Sequence, residues 1–356
     1  FTYLWNENIF EAGAGVDFME TTMNFKFDLD PALEAIFAAN PQFRAALSDL
    51  KDVKNYNRYR VYAQNNFKLS DNLFFNPGLR LDYYDLLDKA YIAPRISFSY
   101  ALDDITTVRG AWGIYYQSPG YEKLRDQNVL LDLADVYTKN LNAEKAIHYV
   151  IGIERWLTSE WSLRFESYYK DFTDLIVQKK VEGSAFVTEL IPGRDPHEQN
   201  SWTNPVVIIG DSLTQIPVNN SYGEAYGLEF FLSKRNVMSD SKISGWISYA
   251  LAYANRFEDG IKLPFRFDQT HTFNFVLNYD FNSWFNVGLR WQYGTGFPYS
   301  EPIGVKPRVI LEDQNGDGIP ETPVVSTRKN YSDPNVKGEV IFDVDFGDNK
   351  FNSRKP

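Results

Sequence analysis

Between residues 57 and 117 apolar and polar side chains alternate with a period of two. Tyr59, Val61, Ala63, Phe67 and Leu69 fall on one side of the first segment, and Arg60, Tyr62, Gln64, Asn66 and Lys68 on the other. After Ser70-Asp71-Asn72 the pattern resumes, with Leu73, Phe75, Leu79, Leu81 and Tyr83 set against Asn76, Arg80 and Asp82. A third segment sets Ile92, Ile96, Phe98, Tyr100 and Leu102 against Arg95, Ser97 and Ser99. A fourth sets Val108, Trp112, Ile114 and Tyr116 against Thr107, Arg109 and Gln117. Successive side chains of a strand point to opposite sides, so this period predicts strands with one apolar and one polar face. Four in succession, joined by short turns, predict an antiparallel meander.

The same reading extends along the chain. Residues 2–9 and 13–27 are predicted as a strand and its partner. The period then changes over 31–51, where Leu33, Ile36, Phe37, Phe43, Ala46, Leu47 and Leu50 recur at helical spacing. That predicts a short helical insert in a long extracellular loop, split at Pro41. A hairpin is predicted from 145–157 and 161–177 around Thr158-Ser159-Glu160, then an irregular run over 178–217. Strands 224–233 and 243–253 pair, as do 270–281 and 284–293. A Pro-, Gly- and Asp-rich connection over 294–337 precedes a last short strand at 340–346. Tight connections at 70–72, 103–104, 158–160, 234–242 and 282–283 alternate with longer ones.

Short turns at one end and long loops at the other predict a transmembrane β-barrel, turns periplasmic and loops extracellular. Its apolar face meets lipid through Leu79, Leu81, Phe98, Trp112, Ile151, Phe165, Tyr249, Phe275 and Leu289. Trp156, Trp161 and Trp284 beside tight turns read as an interfacial girdle. A closed barrel has no edge, so Pro77 and Pro94 are expected at bulges or strand ends.

Composition narrows the classes. The 356 residues hold 16% aromatics and 23% charged residues. No run of about eighteen apolar residues is present to form a membrane helix. The formal net charge of −11 opposes a nucleic-acid partner. Cysteine is absent, which removes disulfides, thiolate nucleophiles and sulfur-ligated metals.

The phrases YAQNNFKLSDNLFFNPGLRLDYY, APRISFSYAL, TTVRGAWGIYYQSP, YVIGIERWL, ESYYKDFTDLI, YGLEFFLSKR, GWISYALAYA and WQYGTGFPYS, in this order, resemble TonB-dependent outer-membrane receptors. The likeness is strongest to the large receptors of Bacteroidota-type bacteria and covers nearly all of residues 57–300. It implies a barrel of about 22 strands filled by a plug domain. It also implies uptake of a scarce nutrient, such as a metal chelate, glycan or peptide, driven by an inner-membrane energy-coupling protein. A surface lipoprotein is a further implied partner. The chain departs from the pattern in lacking a plug, a coupling box and a terminal strand ending in an aromatic residue. With roughly fourteen strands, residues 1–356 are expected to be part of one barrel domain, with C-terminal strands missing. The first and last strands are then expected not to pair. Two other readings stay open: a non-transport surface role (adhesion, or a barrel within a secretion or lipoprotein complex), and a soluble β-rich carbohydrate-binding or hydrolytic domain.

Candidate chemistry is sparse. Asp313, Asn315 and Asp317 occupy positions one, three and five of a calcium-loop pattern, with Glu321 at position nine. The bidentate glutamate of position twelve is replaced by Val324, so the ligand count suits weak calcium binding or a plain hydrophilic turn. Arg80, Arg95, Arg109 and Arg290 lie on the polar face. They are candidates either to attract an anionic ligand or to pair with carboxylates such as Asp82, Glu166 and Glu229. His148, His197 and His271 are too scattered to predict a shared metal site. No nucleophile elbow, P-loop or dinucleotide fingerprint occurs, so enzymatic activity is not expected.

Overall fold

The computed structural model describes residues 1–25, 50–119, 138–236, 241–258, 260–316, 321–328, 338–347 and 353–354. Strands β1 (Thr2–Trp5), β2 (Asn8–Phe25), β3 (Leu50–Ser70), β4 (Leu73–Tyr84), β5 (Lys89–Asp103) and β6 (Thr106–Gln117) form the first half of one antiparallel sheet. It continues through β7 (Glu144–Trp156), β8 (Trp161–Val187), β9 (Val206–Lys234), β10 (Ile243–Glu258), β11 (Ile261–Pro264), β12 (His271–Asn282) and β13 (Phe285–Gly294). Each strand pairs with its predecessor, except that β11 is a short addition on β10, and β12 pairs with β10 directly. Hydrogen bonding runs from β1 to β13, and among the described residues no pairing joins those two ends.

Register keeps the two faces apart. Val61 lies opposite Leu81, Leu81 opposite Ile92, Ile96 opposite Trp112 and Trp112 opposite Tyr149. On the far strands Ile247 lies opposite Phe275, and Phe275 opposite Trp291. This face is largely uncovered: Leu79 is 53% exposed, Ile151 56% and Leu289 54%. So continuous an apolar surface needs a non-aqueous neighbour. No helix among the described residues is long and apolar enough to cross a membrane, which says nothing of strands. Trp5, Trp156 and Trp161 stand at strand ends beside tight turns, and Trp284 lies within one.

The chain divides into two compact units. The first comprises Phe1–Gln178, Gln215–Lys262 and Gln269–Thr295. Its small buried core gathers Tyr84, Leu87, Leu141, Ala143 and Ile176 at the ends of strands that lead into the longer connections. The Lys89 ammonium donates to the Leu141 carbonyl at 2.8 Å, and the Ala143 N–H donates to the Tyr91 hydroxyl at 2.8 Å. The Ile176 N–H donates to the Glu144 carboxylate at 2.9 Å, so the buried polar groups are matched.

The second unit comprises Lys179–Thr214, Leu263–Asp268 and Gly296–Pro356. It contains β14 (Pro298–Tyr299), β15 (Gly304–Pro307), β16 (Val309–Glu312), β17 (Thr322–Val325), β18 (Phe342–Asp345) and β19 (Ser353–Arg354). These pair as β14–β19, β15–β18 and β16–β17. Val325, Val340 and Ser201 are buried, and the rings of His197 and Trp202 meet Phe342 edge-on. The Val340 N–H donates to the His197 carbonyl at 2.9 Å, and the Gln199 amide to the Val325 carbonyl at 2.6 Å.

Several sequence-based expectations are corrected. The first hairpin turns at Asn6-Glu7, where Asn6 adopts φ 50°, and not between residues 9 and 13. A two-residue turn needs left-handed backbone, which asparagine tolerates. The irregular run at 178–217 is largely strand, because β8 and β9 extend to 27 and 29 residues. The segment at 340–346 is no strand of the large sheet, since β18 pairs only with β15. Of the helical insert, residues 31–49 lie outside the described residues, while Leu50 and Lys51 already belong to β3. Register shifts occur beside tight turns, at Lys68/Ser70, Ala101/Asp103 and Asp280/Asn282. None lies at a proline. Pro77 sits inside β4 where its pairing with β3 lapses and resumes in the same register, and Pro94 lies just past the last β5–β6 pair. Proline removes one donor without adding a residue, so one ladder is interrupted and no bulge is required.

Candidate ligand-facing surface

The polar face is organised by cross-strand ion pairs. Asp82 of β4 is held between two arginines: Arg80 donates at 2.7 and 2.8 Å, and Arg58 of β3 at 3.0 and 3.1 Å. The Asp82 side chain is 6% exposed, so this is a mostly desolvated carboxylate with two positive partners. Arg58 also lies over the Tyr84 ring, its guanidinium carbon 5.1 Å from the centroid. Arg60 pairs with Asp17 of β2, so three arginines share two carboxylates here.

The next network is neutral in sum. The Gln64 amide donates to Glu11, and Arg95 donates to the Gln64 carbonyl oxygen at 3.1 Å. Gly78 makes room for this arginine: a Cβ there would meet Arg95 Nε at 3.0 Å. A cavity of about 570 Å³ opens beside these residues, its walls including Asn65, Asn66, Ser97 and Tyr115. Arg109 pairs with Glu154 of β7 at 3.0 Å.

The four arginines singled out from sequence therefore do not converge. Arg80 and Arg95 lie near one another, because Gly78, two residues from Arg80, faces Arg95. Arg109 lies across β5 from them, and Arg290 is on β13 opposite Val276, with no ion pair among the described residues. Sequence reasoning found Asp82 as a carboxylate partner and missed Asp17 and Glu11, which β2 supplies. Strict alternation through 11–17 would have placed both on the polar side. The histidines stay apart: His148 stacks near Tyr115 with ring centroids 4.5 Å apart, and His271 Nδ1 lies 2.9 Å from the Tyr249 hydroxyl. His197 belongs to the second unit.

The calcium-like loop joins β16 to β17. Asp313 accepts the Gly316 N–H at 2.6 Å, Gly316 adopts φ 79°, and the Asn315 amide donates to Glu321 at 3.0 Å. Asp317 lies outside the described residues. In the described part, then, Asp313 and Glu321 accept hydrogen bonds that close a turn. Among the described residues no three His, Asp or Glu side chains cluster as a metal site.

Comparison with known proteins agrees with this architecture. The chain is 23% identical over 205 residues to the ferrienterobactin receptor of Escherichia coli (strain K12), covering 54% of this chain and 26% of that protein. In structure it is similar to the FrpB iron transporter of Neisseria meningitidis (F5-1 variant), with TM-score 0.53 and 12% identity, covering 83% of this chain and 42% of that one. The outer membrane transporter YddB of Escherichia coli gives TM-score 0.50 at 9% identity, covering 96% of this chain and 45% of that one. The chain thus spans about a quarter of the curated relative and under half of these solved structures. The family model described as TonB dependent receptor-like, beta-barrel matches residues 2–333. With strands, faces and turn alternation all in accord, this chain belongs to the TonB-dependent receptor β-barrel family.

Proposed function

We propose that the chain forms part of the wall of an outer-membrane receptor that takes up a scarce nutrient using energy from the inner membrane. The observation that carries this is the two-faced sheet: exposed apolar rows on one side, cross-strand ion pairs and a polar cavity on the other. A lipid-facing exterior and a polar interior alternate in this way along transmembrane strands. In this reading the tight turns are periplasmic and the longer connections, with the second unit, are extracellular. The remaining strands, a plug domain and an energy-coupling partner belong to the complete receptor. Identity to the ferrienterobactin receptor is low over a quarter of its length, so it supports the class of protein and leaves the solute open.

Uptake in cells carrying the complete reading frame tests the proposal. Deleting the energy-coupling protein is expected to abolish accumulation of the solute while leaving surface binding intact. Unchanged accumulation would favour a surface role without transport. We further infer that the 313–321 loop serves first as a turn, with calcium affinity no better than about 10⁻⁴–10⁻³ M. Calcium titration followed by calorimetry checks this, and tight binding would contradict the ligand count.

A further inference from the structure

The lapse in β3–β4 pairing has no role in the ion-pair networks. Gln64 faces Gly78 and Phe67 faces Phe75 in one register, yet Asn65 and Asn66 pair with nothing in β4 between them. Pro77 brings no N–H to this seam. Asn65 is 7% exposed, and neither its Oδ1 nor its Nδ2 has a hydrogen-bond partner; Asn66 Oδ1 is buried and unpartnered too. All of these residues line the cavity of about 570 Å³. Buried amide atoms left unmatched destabilise a fold, so their persistence beside an open cavity points to an occupant.

The donor and acceptor count selects its chemistry. Glu11, Gln64 and Arg95 are already bonded to one another, which leaves the cavity without a free charge. Asn65 Nδ2 requires an acceptor, whereas Asn65 Oδ1 and Asn66 Oδ1 each require a donor. An anion supplies acceptors alone, and a bare cation satisfies the oxygens but repels the amide N–H group. Hydroxyl groups do both. The Tyr115 ring in the wall offers an apolar surface for C–H groups. The volume falls within the roughly 300–1,000 Å³ usual for small-molecule sites.

We propose that this cavity binds a neutral polyhydroxylated ligand of the sugar class, through hydroxyls that donate to Asn65 Oδ1 and Asn66 Oδ1 and accept from Asn65 Nδ2. The proposal rests on the reading of the polar face as a solute path and narrows its substrate class. The test uses the intact receptor purified in a detergent without a sugar headgroup. Glucose, galactose, mannose, N-acetylglucosamine, maltose and cellobiose are titrated one by one, with saturation-transfer NMR and tryptophan fluorescence as readouts. At least one sugar should bind saturably, and Asn65→Leu and Asn66→Leu should each weaken it about tenfold or more. Glucuronate should bind no better than glucose. If a leucine variant loses its folded, heat-modifiable mobility on gels, Asn65→Asp replaces it; removal of the one donor should weaken the same sugar. Failure of all six sugars to bind overturns the proposal, as does binding that none of the folded variants alters. Protection of a cysteine at position 65 from a thiol reagent, unaffected by sugar, also overturns it, because another segment of the receptor would then fill the cavity. Since binding is read without energisation, it stands or falls separately from coupled uptake.

Discussion

Asp82 and Arg109 show how differently two ion pairs on one face behave. Asp82 is nearly inaccessible and accepts four bonds from two arginines, whereas Arg109 is 57% exposed and meets one carboxylate. Charge-assisted bonds to a desolvated group are worth more than an exposed pair, which is screened by water. Asp82→Ala is therefore expected to cost about 2 kcal/mol in urea unfolding from lipid vesicles, and Arg109→Ala less than about 1 kcal/mol. Equal losses would contradict the burial argument. In the second unit, Arg308 grips Asp343 with Nε bonds of 3.0 and 3.2 Å and holds its carboxyl below the ordinary carboxylate value. A depressed folded-state value means stabilisation that is full above the unfolded value of about 3.9 and lost as pH falls through the folded one. Amide exchange in β15 and β18, corrected for intrinsic rates, should accelerate between pH 6 and acid in the native chain but not in Asp343→Asn. Alternation of polar residues placed the arginines on one face. It could not assign partners, because cross-strand contacts depend on a register that no single strand encodes.

At the scale of elements, strands were legible wherever one side is apolar and the other polar. They were missed at the distal parts of β8 and β9, where Val206, Val207, Ile208 and Ile209 are all exposed and no alternation survives. A ribbon bonded only along its own ladder imposes no rule on its faces. Pairing of β10 with β12 depends on Gly245, whose φ is 158° and where a Cβ would lie 2.1 Å from the Val276 carbonyl oxygen. Gly245→Ala should cost about 1–3 kcal/mol, read as a lowered unfolding midpoint with the secondary structure retained. A neutral result would show that the strand shifts freely there. The faces invite a second comparison. Arginine at Leu79 or Ile151 should cost about 2–4 kcal/mol in a bilayer, and little at Ser97 or Asn274. Equal tolerance on both sides would indicate a sheet bathed in water.

For the molecule as a whole, connection lengths carried the most information. Two-residue turns at 6–7, 71–72, 104–105 and 283–284 recur at one end of the large sheet, and the longer connections lie at the other. This rhythm, with period-two patterning, was enough in the sequence to specify an all-β antiparallel sheet with a lipid-type exterior, because both are local properties of short segments. The small second unit, with 340–346 paired to 304–307 rather than to the large sheet, was not legible. Short strands of four residues carry too little pattern to reveal which distant segment they meet. The cavity at Asn65 was equally hidden. The sequence shows two polar residues and a proline, and only the pairing of β3 against β4 places that proline where a ladder lapses and two amides lose their partners. Local chemistry determined which side each strand shows to its surroundings; register, a long-range property of neighbouring strands, decided which side chains meet and where the polar face opens.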